Sequence, residues 1–172
     1  MKLILITIAV FFNVSLVCAQ VMKPNSVVAA SRNSYTTSKI GSKYTSMIIK
    51  NNANKLDKQM PGLEGGNLDY ELTDKNSLVD CFKSVFNSAR LQQLLPENNI
   101  LISTYINSSG KILEVSFMLK QNTLITAQEI EELESQIKKN VAYKIRPGVL
   151  KENKFYVVNI NMKYDKIING VQ

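Results

Sequence analysis

Four carboxylates crowd one short stretch, Glu129, Glu131, Glu132 and Glu134, and a single thiol, Cys81, lies well inside the chain. Carboxylates this dense could ligate a metal or carry acid–base work. They stand directly behind Thr126-Ala127-Gln128-Glu129, a capping box that opens a helix, where negative charge suits the exposed amide donors. That position predicts a charged, solvated helix face. Glycosidase-type chemistry needs two carboxylates facing each other across a cleft, and nothing in the spacing identifies such a pair. Cys81 has no cation secured beside it to lower its pKa, so it reads as a buried helix-face thiol, not a redox centre.

The 172 residues contain no histidine, no tryptophan and two cysteines. Histidine zinc sites, Ser-His or Cys-His nucleophile pairs and a disulfide framework are thereby excluded. No glycine-rich phosphate loop, metal-spaced cysteine cluster or nucleophile elbow is present. The expectation is a protein with no catalytic residues, no metal site and no cofactor. Asn107-Ser108-Ser109 matches a glycosylation acceptor, but turn chemistry explains it fully.

The first residues read as a cleavable export signal, 1–19. Lys2 supplies the positive start, Leu3 to Val17 an apolar run, and Val17-Cys18-Ala19 a cleavage site before Gln20. The run is too short for a membrane span and Asn13 interrupts it. Bulky Val17 before Cys18 argues against lipidation, so a periplasmic or secreted product is expected. Positive charge then gathers early: Lys23, Arg32, Lys39, Lys43, Lys50, Lys55 and Lys58 stand against Asp57 alone. With Tyr35 and Tyr44 interleaved, this quarter could hold an anionic surface, through Lys39, Lys43, Lys50, Lys55 and Lys58. The charges are widely spaced, which favours a solvated tether, and a nucleic-acid partner is not expected.

The elements that must position these groups follow from periodicity. Residues 20–42, rich in Ser, Asn and Thr, read as a flexible basic lead-in. Lys43 to Lys50 alternates like an edge strand, and the rest of 43–77 reads as loop, ending in the cap residues Asp74, Asn76 and Ser77. Leu78 to Leu95 reads as one helix with Leu78, Phe82, Val85, Phe86 and Ala89 on a face, stopped by Pro96. Ile100 to Ile106 and Lys111 to Lys120 alternate as a hairpin around Asn107-Ser108-Ser109-Gly110. Thr126 opens a second helix with Ile130, Leu133, Ile137 and Val141 as its stripe. Phe155 to Tyr164 closes the domain as a strand. The predicted class is α+β: a small antiparallel sheet of three or four strands with two helices on one face, in the order α-β-β-α-β, over 78–165, and a tail at 166–172.

Residues 78–164 resemble the C-terminal domain of TonB. The likeness rests on Ser109-Gly110-Lys111 at the hairpin turn, on Tyr143-Lys144-Ile145-Arg146-Pro147 after the second helix, and on the closing strand. A cleavable signal and only four prolines depart from a complete TonB, which keeps a membrane anchor and a proline-rich span. The chain is also similar to exported proteins of Bacteroidetes type, which composition and spacing do not themselves show. The resemblance implies a recognition module whose closing strand receives a peptide by strand addition. Carried over, the candidate edge is Tyr156, Val158, Ile160, Met162 and Tyr164. The expected function is therefore a non-catalytic exported binding module for a protein or peptide of the cell envelope. The alternative is an envelope-associated structural protein that holds anionic lipid or glycan through the basic N-terminal segment.

Overall fold

The computed structural model describes residues 22–41, 45–59, 70–145 and 155–170. The proposed signal, Lys43, and Arg146-Pro147 lie outside the described residues. Among the described residues, eight strands and four α-helices follow one another: β1 Ser26–Ala29, β2 Ser34–Lys39, β3 Ser46–Asn51, β4 Tyr70–Leu72, α1 Ser77–Val85, α2 Ser88–Leu94, β5 Asn99–Ile106, β6 Ile112–Lys120, α3 Ala127–Asn140, β7 Tyr143–Ile145, β8 Tyr156–Lys163 and α4 Tyr164–Ile168. Six strands form one antiparallel sheet in the order β1-β2-β3-β6-β5-β8, and β4 with β7 forms a two-stranded ribbon.

This overturns the expected small sheet of three or four strands with two helices. The difference lies mainly in the N-terminal stretch. Residues 20–42, read as a flexible lead-in, carry β1 and β2, and Met22, Val28 and Tyr35 enter the core. Their strands are short and rich in hydroxyls, so alternation is hard to see. Thr37 is buried nonetheless, because its hydroxyl donates to Lys23 O (2.5 Å) and stays satisfied away from water.

The expected single helix over 78–95 is two. Asn87 leaves helical geometry (ψ 168°), and its side chain accepts from the Arg90 N–H at 2.9 Å, capping α2. The break re-phases the apolar stripe, so Leu91 and Leu94 are buried and Ala89 is exposed. At α3 the expected capping box forms as read, Thr126 accepting from Glu129 N–H while Glu129 accepts from Thr126 N–H.

The hairpin also forms as read, with a register shift at Tyr105/Ile106. Gly110 takes φ +78°, the left-handed region that glycine enters without strain. Its carbonyl accepts from Tyr143 N–H at 3.0 Å, which pulls β7 against the turn. The Tyr143 hydroxyl shares a hydrogen with Thr104 Oγ1 (3.0 Å), and burial pushes that phenol up to about 12.

One face of the large sheet is apolar. Met47, Ile49, Ile100, Ile102, Val115, Phe117, Leu119, Val158 and Met162 join Leu78, Phe82, Ile130, Leu133 and Ile137 of the helices in one core. Each such side chain, fully buried, contributes about 1.5–3 kcal/mol. Cys81 belongs to that core, and burial raises its thiol to about 11. Its burial is what its place on the helix face predicts. The opposite sheet face presents Thr36, Ser38, Lys120, Asn159, Asn161 and Lys163 as exposed side chains.

Candidate functional site: an open sheet edge and a polar cleft

The six-stranded sheet ends at β1 on one side and at β8 on the other. Lys43 to Lys50, the segment that could have capped the closing strand, contributes to β3 instead, between β2 and β6. Among the described residues, β8 pairs with β5 alone, so its far side has no strand partner.

The register decides which peptide groups are free. Asn99 lies opposite Lys163, and one step beyond, Tyr164 N–H donates to Asn98 O at 3.1 Å. Bonded and unbonded pairs alternate along an antiparallel ladder. The even-numbered residues of β8 therefore exchange their bonds with β5. The odd-numbered ones, Val157, Asn159, Asn161 and Lys163, aim N–H and C=O outward. A second contact agrees: Thr104 Oγ1 of β5 donates to Val158 O (3.2 Å), which places that carbonyl on the β5 side.

Of the residues expected at the peptide edge, Tyr156, Val158, Ile160 and Met162 lie on β8, but on the set whose peptide groups face β5. Tyr156, Val158 and Met162 are buried, Ile160 is half-buried, and Tyr164 is the first residue of α4 and fully buried. Their side chains serve the core and their peptide groups serve β5. The groups a partner strand could meet belong to their neighbours, which alternation read from the sequence assigns only to the polar face.

On that polar face, Ser103 Oγ donates to Asn159 Oδ1 (2.6 Å) and the Asn99 amide donates to Asn161 Oδ1. These bonds hold both asparagine side chains over β5 with their amide donors available. The two sheet edges differ in how well they are blunted. β1 spans four residues and is preceded by Lys23-Pro24-Asn25, whereas β8 runs for eight with one charge, Lys163, at its end. Short strands, prolines and charges are what keep an edge from recruiting another strand.

The second feature is a cleft of about 640 Å³ between α3 and the ends of β1–β3 and β6, lined among others by Arg32, Asn51, Leu113, Glu131, Glu134 and Lys138. The expected solvated carboxylate face is only half right here, because Glu131 and Glu134 are buried. Glu131 accepts from the backbone N–H of Ser31 (3.1 Å), Arg32 (2.9 Å) and Asn33 (2.7 Å) and from Asn33 Nδ2 (2.9 Å). Glu134 accepts from the Tyr35 hydroxyl (2.8 Å) and Asn51 Nδ2 (3.0 Å) and pairs with Lys138 (3.3 Å). Burial, and then the Glu134 charge, push the Tyr35 phenol far up, so it stays a donor. The acids are fastenings that tie the N-terminal hairpin to α3. Among the described residues no group of His, Cys, Asp and Glu could hold a metal ion.

Among the described residues, the basic side chains do not gather. Lys39 lies opposite Met47 on the helix side of the sheet, and Lys50 lies opposite Thr36 on the other face, three pairs away. Lys55 and Lys58 are exposed around the 3-10 turn Leu56–Lys58, and Lys43 is outside the described residues. No described helix is long and apolar enough to cross a membrane.

No family model matches the sequence, and no curated protein matches it. Among solved structures, the fold is similar to a DUF5043 family protein from Bacteroides uniformis, at TM-score 0.64 and 13% identity, over 83% of this chain and 87% of that one. At that identity the likeness concerns the fold alone.

Proposed function

We propose that this chain is an exported, non-catalytic recognition domain that receives a strand of a protein or peptide along the open edge of β8. The carrying observation is that Val157, Asn159, Asn161 and Lys163 present outward peptide groups with no described strand beside them. Strand addition draws its affinity from such main-chain groups and its selectivity from alternate side chains. Of the four carboxylates weighed for catalysis, Glu131 and Glu134 hold the hairpin and Glu129 binds Arg90 and Thr126. Export rests on the leader read at 1–19, and N-terminal sequencing of the product, beginning at Gln20, is its check.

The binding test is amide hydrogen exchange on dilute protein. Val158, Ile160 and Met162 should be protected, while Val157, Asn159, Asn161 and Lys163 exchange fast. Adding an extended valine–threonine octapeptide should then protect the odd-numbered set. Protection of the odd set in the free, dilute chain would mean the edge is already filled, and the reading would fall.

A further inference from the structure

We infer that the strand β8 receives is β8 of a second copy of this chain, in an antiparallel pair centred on Ile160. The inference rests on the open-edge reading above and names its partner. Four features of the edge fit its own copy.

The first is parity. An antiparallel pairing about a two-fold axis at Ile160 sets Val157 opposite Lys163 and Asn159 opposite Asn161. Every outward residue of one strand thereby meets an outward residue of the other. The bonds that β5 leaves unmade are all made, and none of the bonds to β5 is disturbed.

The second is charge. Lys163 is the one charged residue of β8, and in this register it faces Val157 of the other copy, not its own equivalent. Like charges directly opposite would oppose pairing.

The third is side-chain chemistry on the polar face. Asn159 and Asn161 have their Oδ1 atoms turned to Ser103 and Asn99. Those bonds use the amide oxygens, and in this register the other copy brings Asn161 and Asn159 beside the exposed side chains. An amide carries both donors and acceptors, so an asparagine pair satisfies itself.

The fourth is on the apolar face. Ile160 is half-buried while its neighbours Val158 and Met162 are buried. The two-fold axis sets Ile160 against its equivalent and covers the remaining apolar surface of the strand. Closed two-fold pairs of this kind leave no edge to propagate beyond β1, whose own edge is short and follows a proline.

The test is sedimentation equilibrium of the whole protein with two kinds of variant. Asn159→Pro removes an outward N–H that the fold does not use, so the chain should fold normally by circular dichroism. By symmetry it deletes the bond twice, raising the dimer dissociation constant roughly a hundredfold, tenfold for each bond. The charge variants keep the backbone intact. N159K/N161K sets like charges opposite and should give monomer, whereas N159K/N161E sets opposite charges in register and should restore the dimer. A dimer indifferent to all three variants would overturn the inference, and so would a dimer that N159K/N161E also breaks. A chain that stays monomeric at the highest concentration would overturn it as well. If the monomer's odd-numbered β8 amides exchange fast, the open-edge reading survives with a foreign partner. If they are protected, both fall.

Discussion

Removal of Glu131 should release the N-terminal hairpin from the rest of the fold. Its buried carboxylate receives three consecutive backbone N–H groups, from Ser31, Arg32 and Asn33, at 2.7–3.1 Å, together with the Asn33 amide. A hydrogen bond to a charged group contributes about 1.5–3 kcal/mol net, and such bonds within one cluster do not add fully. Truncation also leaves donors of the turn without an acceptor, although water reaches some of them. Glu131→Ala should therefore cost about 3–5 kcal/mol, in the range for breaking a buried charged contact. Glu131→Gln keeps the shape and one carbonyl but turns an NH2 toward donors, and should cost about 2 kcal/mol. The Arg32 guanidinium adds little, because it is 66% exposed and stands 3.7 Å away. Arg32→Ala should change stability by less than about 1 kcal/mol. Urea unfolding reads the global loss, and amide exchange at Val28 and Tyr35 reads whether the hairpin opens first. If Glu131→Ala loses under about 1 kcal/mol with Val28 and Tyr35 still protected, the carboxylate is not the fastening described here.

Three further outcomes follow from single contacts. Gly110→Ala should cost about 3 kcal/mol or more, since the added Cβ would sit 1.8 Å from Tyr143 O at φ +78°; Gly170→Ala, with only Lys83 Nζ at 3.4 Å, should cost about 1–2 kcal/mol. Equal urea midpoints for these two variants would refute the close approach of the turn to β7. Tyr164 carries a buried hydroxyl with no described partner, so Tyr164→Phe should be neutral or stabilising by about 1 kcal/mol; a clear loss in the urea midpoint would reveal a bond the hydroxyl makes. Burial alone would raise Glu129, but the Arg90 fork and the Thr126 bonds outweigh it and hold the carboxyl below the ordinary carboxylate range. A depressed folded pKa gives stability above the ordinary range that is lost as pH falls through the folded value. The gap between wild type and Arg90→Met should thus narrow from about pH 7 to about pH 3; a constant gap across that window would contradict the pairing.

Local signals carried much of the chain. The capping box at Thr126, the stripe from Ile130 to Val141, the hairpin with positive φ at Gly110 and the alternation of Tyr156, Val158, Ile160 and Met162 all appear where periodicity and turn chemistry place them. The split between α1 and α2 was signalled by Asn87-Ser88, a strong cap pair inside an apparently continuous stripe. The extra strands gave no such signal. β1 and β2 are held by Glu131 and Glu134, about a hundred residues away, and no local window contains both partners.

The sequence by itself determined which residue types are absent, where the helix behind Thr126 and the strands of the hairpin and of β8 lie, and which side chains of those strands face the core. Those properties are local, set by backbone geometry and alternation over a few residues. Only the tertiary structure decided the number of strands in the sheet, the burial of Glu131 and Glu134, and the position of β8 at an edge. It also decided that Val157, Asn159, Asn161 and Lys163 turn their peptide groups away from β5, with no strand beside them among the described residues. Strand order and hydrogen-bond parity belong to pairs of strands, and they are settled only when distant segments compete for the same edge.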